Sequence, residues 1–328
     1  MIKGIRLIAA MLLAGILFIA VTGLASAHNL YIETDTNPEI PTEQEVQILF
    51  GHPNAPESCM TVPMEYARVY KPDGTIVELE LKEDSGYRTA SEATYWSAKV
   101  TLDQEGDYVI AASRVPIYFS PAWHDLAGSP ELTRDWAKVI VHGGGEEQWQ
   151  KAVGLPFEIV PLVSPYGLRV GDTFRAQVLF NGEPIKAEYA AAHETESIHD
   201  PEVAQTGETA EDGTFSIYIS KSGMWTVKGE YDIEEPGTWT ATFDLGGYFK
   251  EGDKLDYEVE RYQTMMTMWA SSLGASPPGP QGPEGPPGQQ GLAGPPGSAG
   301  GATWAYAALG VAIVAVLLGA ISLARERG

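Results

Sequence analysis

The sequence contains one cysteine, Cys59, in 328 residues. A single cysteine excludes an intrachain disulfide and any CxxC redox or zinc site, so Cys59 reads as a buried, inert thiol. Basic residues are also scarce, with 21 Lys and Arg against 44 Asp and Glu and a net charge of −23. So acidic a chain is excluded as a nucleic-acid binder, and its field concentrates cations. Catalytic signatures are missing as well. There is no HExxH, P-loop, GxGxxG or GxSxG, and the chain reads as a non-enzyme.

Long apolar runs stand near the two ends. Lys3 and Arg6 precede an apolar stretch at residues 7–21, and Ala25 and Ala27 supply the small residues of a signal-peptidase site. Residues 1–27 therefore read as a signal peptide, with His28 as the first mature residue. Residues 303–324 read as one transmembrane helix, whose apolar part (305–324) is about long enough to cross a bilayer. Trp304 and Tyr306 lie at its start, and Arg325 and Arg327 follow it. The positive-inside rule makes residues 325–328 a cytoplasmic tail and leaves the large N-terminal part extracytoplasmic on a single-pass anchor. Between the two runs, residues 277–302 carry glycine at every third position from Gly279 to Gly300. This collagen-like repeat reads as a stalk and permits a homotrimer.

The intervening chain is dominated by short alternating strands. Val46, Ile48 and Phe50 alternate with polar residues, and Lys71-Pro72-Asp73-Gly74 and Asn181-Gly182-Glu183 mark turns. Gly106-Asp107-Tyr108 resembles the strand entry of a tyrosine corner. Residues 115–136 read as a long surface loop. The pattern predicts an all-β fold of two tandem immunoglobulin-like or transthyretin-like sandwiches, at 28–153 and 154–249. Residues 250–276 read as a helical or linker segment, with Met265, Met266, Met268 and Trp269 as packing material.

Six histidines are the candidate metal ligands. A mature N-terminal His28 offers its α-amino group and its imidazole as one chelate, a donor set suited to nickel, cobalt or copper. His52 ends a strand before Pro53, where ligands from distant segments gather. His142 ends another strand before three glycines, and His124 lies in the 115–136 loop. These four form the predicted site. His193 and His199 share an acidic stretch in the second half and are left outside it.

The run Ala27-His28-Asn29-Leu30-Tyr31-Ile32-Glu33 resembles the mature start of a family of exported proteins linked to ABC-type cobalt and nickel uptake, long described as a domain of unknown function. Residues 153–162, Leu168-Arg169-Val170-Gly171-Asp172, residues 178–184 and Asp212-Gly213-Thr214-Phe215 continue the resemblance. It implies an accessory protein for Ni²⁺ or Co²⁺ beside an energy-coupled importer, with His28 and His52 as ligands. The stalk and anchor depart from that pattern. Two other readings stay open from the residues alone. One is a structural or adhesive envelope protein displayed on the stalk. The other is a copper-dependent polysaccharide monooxygenase-like enzyme, which also uses an N-terminal histidine.

Overall fold

A computed structural model describes residues 28–124 and 126–272. The expected signal peptide, collagen-like stalk and transmembrane helix lie outside the described residues. Among the described residues no helix is long and apolar enough to cross a membrane. The fold is all-β, with a 3-10 turn at Pro121–His124.

Three sheets are layered. The first joins β1 (Asn29–Glu33), β2 (Thr42–His52), β7 (Ala90–Leu102) and β6 (Lys82–Tyr87) in that order, with β3 (Ala55–Met60) paired to β2. The second is the largest. Its order is β16 (Gln205–Glu208), β15 (Glu188–His193), β18 (Gly223–Ile233), β21 (Val259–Ser271), β10 (Glu131–His142), β8 (Asp107–Arg114), β4 (Met64–Tyr70) and β5 (Ile76–Glu78). To this path β9 (Ile117–Phe119) adds on β10, and β12 (Leu168–Arg169) on β21. The third joins β11 (Phe157–Pro161), β13 (Thr173–Phe180), β14 (Glu183–Pro184) and β17 (Thr214–Tyr218). A separate ribbon pairs β19 (Gly237–Thr240) with β20 (Lys254–Tyr257).

Period-two alternation explains why the large sheet sits in the middle. On β8, Val109 and Ala111 join one core with Trp136, Ile140, Phe157, Phe174 and Trp225. The intervening Tyr108, Ile110 and Ala112 join a second core with Leu30, Ile32, Ile48 and Val139. One face therefore packs on the third sheet and the other on the first. Tyr31, Leu49 and Cys59, on the opposite face of the first sheet, form a third core with Ala192, Met224 and Met265. Both faces of β1 are thus buried against the large sheet. The tyrosine corner forms as expected, with Tyr108 Oη accepting from the Gln104 N–H at 2.7 Å and donating to the Gln104 carbonyl at 3.0 Å.

Three expectations are corrected. Residues 259–271 form a strand, not a helix. β21 pairs parallel to β10 and antiparallel to β18, and its Met265, Met266 and Met268 are buried on both faces. A strand covered on both faces loses its alternation, so its apolar run is indistinguishable by period from a buried helix. The two halves are also not separate sandwiches, because β4, β8 and β10 share one sheet with β15 and β18 through β21. Finally, the 115–136 segment contains β9 and the first residues of β10 rather than one open loop.

Candidate metal centre

His28 immediately precedes β1 and His52 ends β2. The antiparallel register pairs Asn29 with Gly51, so one further step sets His28 opposite His52. Their ring centroids are 5.1 Å apart. Gly51 is required there by space, since a Cβ would come within 2.8 Å of the Cys59 backbone on β3. The third ring comes from residues 194–204, which connect β15 to β16. His199 lies edge-on to His52 at 5.3 Å, and its Nε2 is 3.1 Å from the Asn29 side-chain amide nitrogen. The Asn29 Oδ1 is buried and has no hydrogen-bond partner.

Neighbouring groups orient the rings. His52 Nδ1 is 3.2 Å from Ser58 Oγ, whose oxygen also accepts the His52 backbone N–H at 2.9 Å. That arrangement leaves His52 Nε2 as the free donor atom. His28 stands edge-on to Phe50 at 5.3 Å, and the Arg114 guanidinium lies 5.0 Å from the same Phe50 ring. Behind the rings runs a buried polar row. Arg114 pairs with Asp135 at 2.8 Å, Lys228 with Glu230 at 2.8 Å, and the Gln263 side chain donates to Glu230 at 2.7 Å.

This setting keeps the imidazoles neutral. Burial lowers His28, and His124 and Arg114 add to the effect. Burial, then His28 and Lys228, bring His52 down to about 4. Burial, then Lys228 and His52, bring His199 down to about 3. A neutral imidazole has the free lone pair that metal coordination needs. Two imidazoles sharing an ion, with metal–nitrogen bonds near 2.0 Å, hold their centroids on the order of 5 Å apart, and both observed pairs match that spacing. Among the described residues no group of three or more His, Cys, Asp or Glu side chains is arranged to hold an ion as it stands. The rings are brought together in pairs that share His52.

Of the other two predicted residues, His142 lies elsewhere, while His124 lies near His28. His142 Nδ1 contacts Asp107 at 2.7 Å and its ring stacks on Tyr166 at 4.3 Å. The register pairs His142 with Asp107 at one end of β8, while Arg114 near His28 is at the other end, roughly 20 Å along the strand. His124 is close enough to His28 for its charge to bear on it, but its exposed ring stacks against Phe119. His193 spends both ring nitrogens on Thr195 and Ser222. His199 and Asn29 were missed. No spacing marks His199, which is 170 residues from Asn29. Its one local cue is the acidic stretch it shares with His193.

Residues 25–233 match the family described as a domain of unknown function (DUF4198). No curated protein matches the chain. Among solved structures, BcpA, the major pilin subunit of Bacillus cereus, matches with 11% identity over 74% of this chain and 70% of that one, at a TM-score of 0.17. So low a score carries no argument.

Proposed function

We propose, for a chain that belongs to the DUF4198 family, the function of a membrane-anchored extracytoplasmic protein that binds a divalent transition-metal ion, nickel or cobalt, as cargo for an energy-coupled importer. The observation that carries this reading is the meeting of three half-buried, neutral imidazoles, His28, His52 and His199, at the start of the mature chain. Cleavage after Ala27 converts the His28 amide nitrogen to an amine. His28 then binds through amine and ring, His52 through Nε2, and His199 through a ring nitrogen. The buried, unpartnered Asn29 Oδ1 adds an oxygen beside them. Nitrogen-rich ligands of this kind favour Ni²⁺, Co²⁺ and Cu²⁺ over hard cations. Copper binds tightest to such a set by the general order of divalent affinities, so copper affinity alone does not identify the cargo.

The test compares the chain beginning at His28 with one carrying a single extra residue ahead of it. Each is titrated with Ni²⁺, Co²⁺ and Cu²⁺. The extension is expected to weaken binding by at least about tenfold, the lower bound for disturbing even outer groups of a metal site. Equal affinities overturn the amine ligand.

A further inference from the structure

The three histidines sit on segments distant in sequence: the start of β1, the end of β2, and the connection 194–204. One side chain touches the far end of β1, the residue after β2 and the first residue of the connection. Arg88, in the β6–β7 turn, has φ +50, a left-handed backbone uncommon outside glycine. Its Nη2 pairs with Glu33 Oε1 on β1 at 2.8 Å and with Glu194 Oε2 at 2.8 Å. Its Nη1 donates to the carbonyl of Pro53, the residue after His52, at 3.2 Å. Tyr87 Oη donates to the same Glu33 carboxylate. Glu194 is fastened in turn to β18, where its backbone N–H donates to the Met224 carbonyl at 2.9 Å. Further along the connection Ile198 is buried in the core that contains Tyr31, and His199 reaches Asn29.

Arg88 is the charge between two carboxylates. Without it Glu33 and Glu194 face each other across the seam where the connection meets β1, and their repulsion pushes the connection outward. A guanidinium fork reaches two carboxylates and a carbonyl at once, which an ammonium on a single point cannot reproduce. We propose that Arg88 is a positioning residue of the metal site, one that holds residues 194–204 against β1 and the end of β2 so that His199 joins His28 and His52. This rests on the metal-binding reading above. The charge clamp is the outer support that fixes a ligand-bearing loop, and supports of this kind carry much of a site's affinity.

The test uses the full chain beginning at His28. Arg88→Gln, Glu194→Ala, His199→Ala and the Arg88→Gln/His199→Ala double variant are titrated with Ni²⁺ and Cu²⁺, with nitrogen ligands counted by Cu²⁺ electron paramagnetic resonance. Arg88→Gln is expected to weaken binding by roughly 10–100-fold and to lose one coordinated nitrogen, as His199→Ala does. The double variant is expected to bind no more weakly than His199→Ala alone, because Arg88 acts through that ring. Arg88→Lys is expected to restore only part of the affinity. If Arg88→Gln does not fold, Glu194→Ala, which cuts the arm to the connection together with the bond from the Met224 N–H at 3.3 Å, decides the point by the same two readouts. Unchanged affinity and nitrogen count in the folded variant, or additive losses in the double variant, overturn the proposal while leaving the metal site standing. A parent chain that binds neither ion overturns both.

Discussion

Single histidines in this molecule are sorted by their neighbours. His142 has a buried carboxylate and a stacked tyrosine, and His193 has a hydroxyl and a carbonyl. His28, His52 and His199 are instead half-buried, with His52 between the other two, near Arg114 and Lys228. Their depressed basicity affects stability. In the metal-free protein His52 and His199 titrate near 4 and 3, below the ordinary 6.5 that they regain on unfolding. Between those values the unfolded chain binds more protons, so stability is full above about 6.5 and falls as pH drops towards 4. Glu131, raised by burial from 4.5 to about 7, acts in the opposite sense, but over a smaller displacement than the two histidines together. The denaturation midpoint is expected to fall between pH 7 and pH 4.5, and His52→Gln with His199→Gln to flatten the profile. An equally steep profile in that double variant would contradict the assignment. His28 and His52 were legible because each is marked locally, one by the Ala-x-Ala cleavage pattern and the other by a strand end before proline. His199 carries no such mark.

Among the elements, β2 and β13 were readable from alternation, and β8 and β18 as short apolar runs entered from a glycine. β10 shows how a strand reaches beyond its own sheet. Its Lys138 is fully buried and pairs at 2.7 Å with Glu158 on β11. Glu158 also accepts the backbone N–H groups of Val153, Gly154 and Leu155, which tie down the segment between the two halves. Removing one member of a buried pair leaves an uncompensated charge, and Lys138→Ala is expected to cost about 3–5 kcal/mol. Urea denaturation measures this, and a loss under about 1 kcal/mol, the range of exposed pairs, would show that the pair is not sealed from water. β21 resisted reading because both its faces are covered. Its buried methionines and threonines carry no period-two signal, and only pairing with β10 and β18 makes it a strand.

For the molecule as a whole, β21 decides where a folding unit ends. A chain ending at residue 249, the predicted close of the second sandwich, lacks the strand between β10 and β18. It leaves two long unpaired edges and exposes the methionine-lined core. Such a chain is expected to aggregate or remain unfolded, while one ending at residue 272 gives a monodisperse, cooperatively unfolding protein. Size-exclusion chromatography and thermal unfolding distinguish them, and a cooperative, soluble product ending at residue 249 would restore the tandem-sandwich arrangement. The all-β class, the acidic balance, the buried cysteine and the candidacy of the first two histidines followed from the sequence alone, because composition, period and termini are local properties of a chain. The shared sheet, the strand at 259–271 and the arrival of His199 beside His52 were decided only by the tertiary structure. Each depends on pairing between residues more than a hundred positions apart, and such pairing leaves no trace in the spacing of either partner.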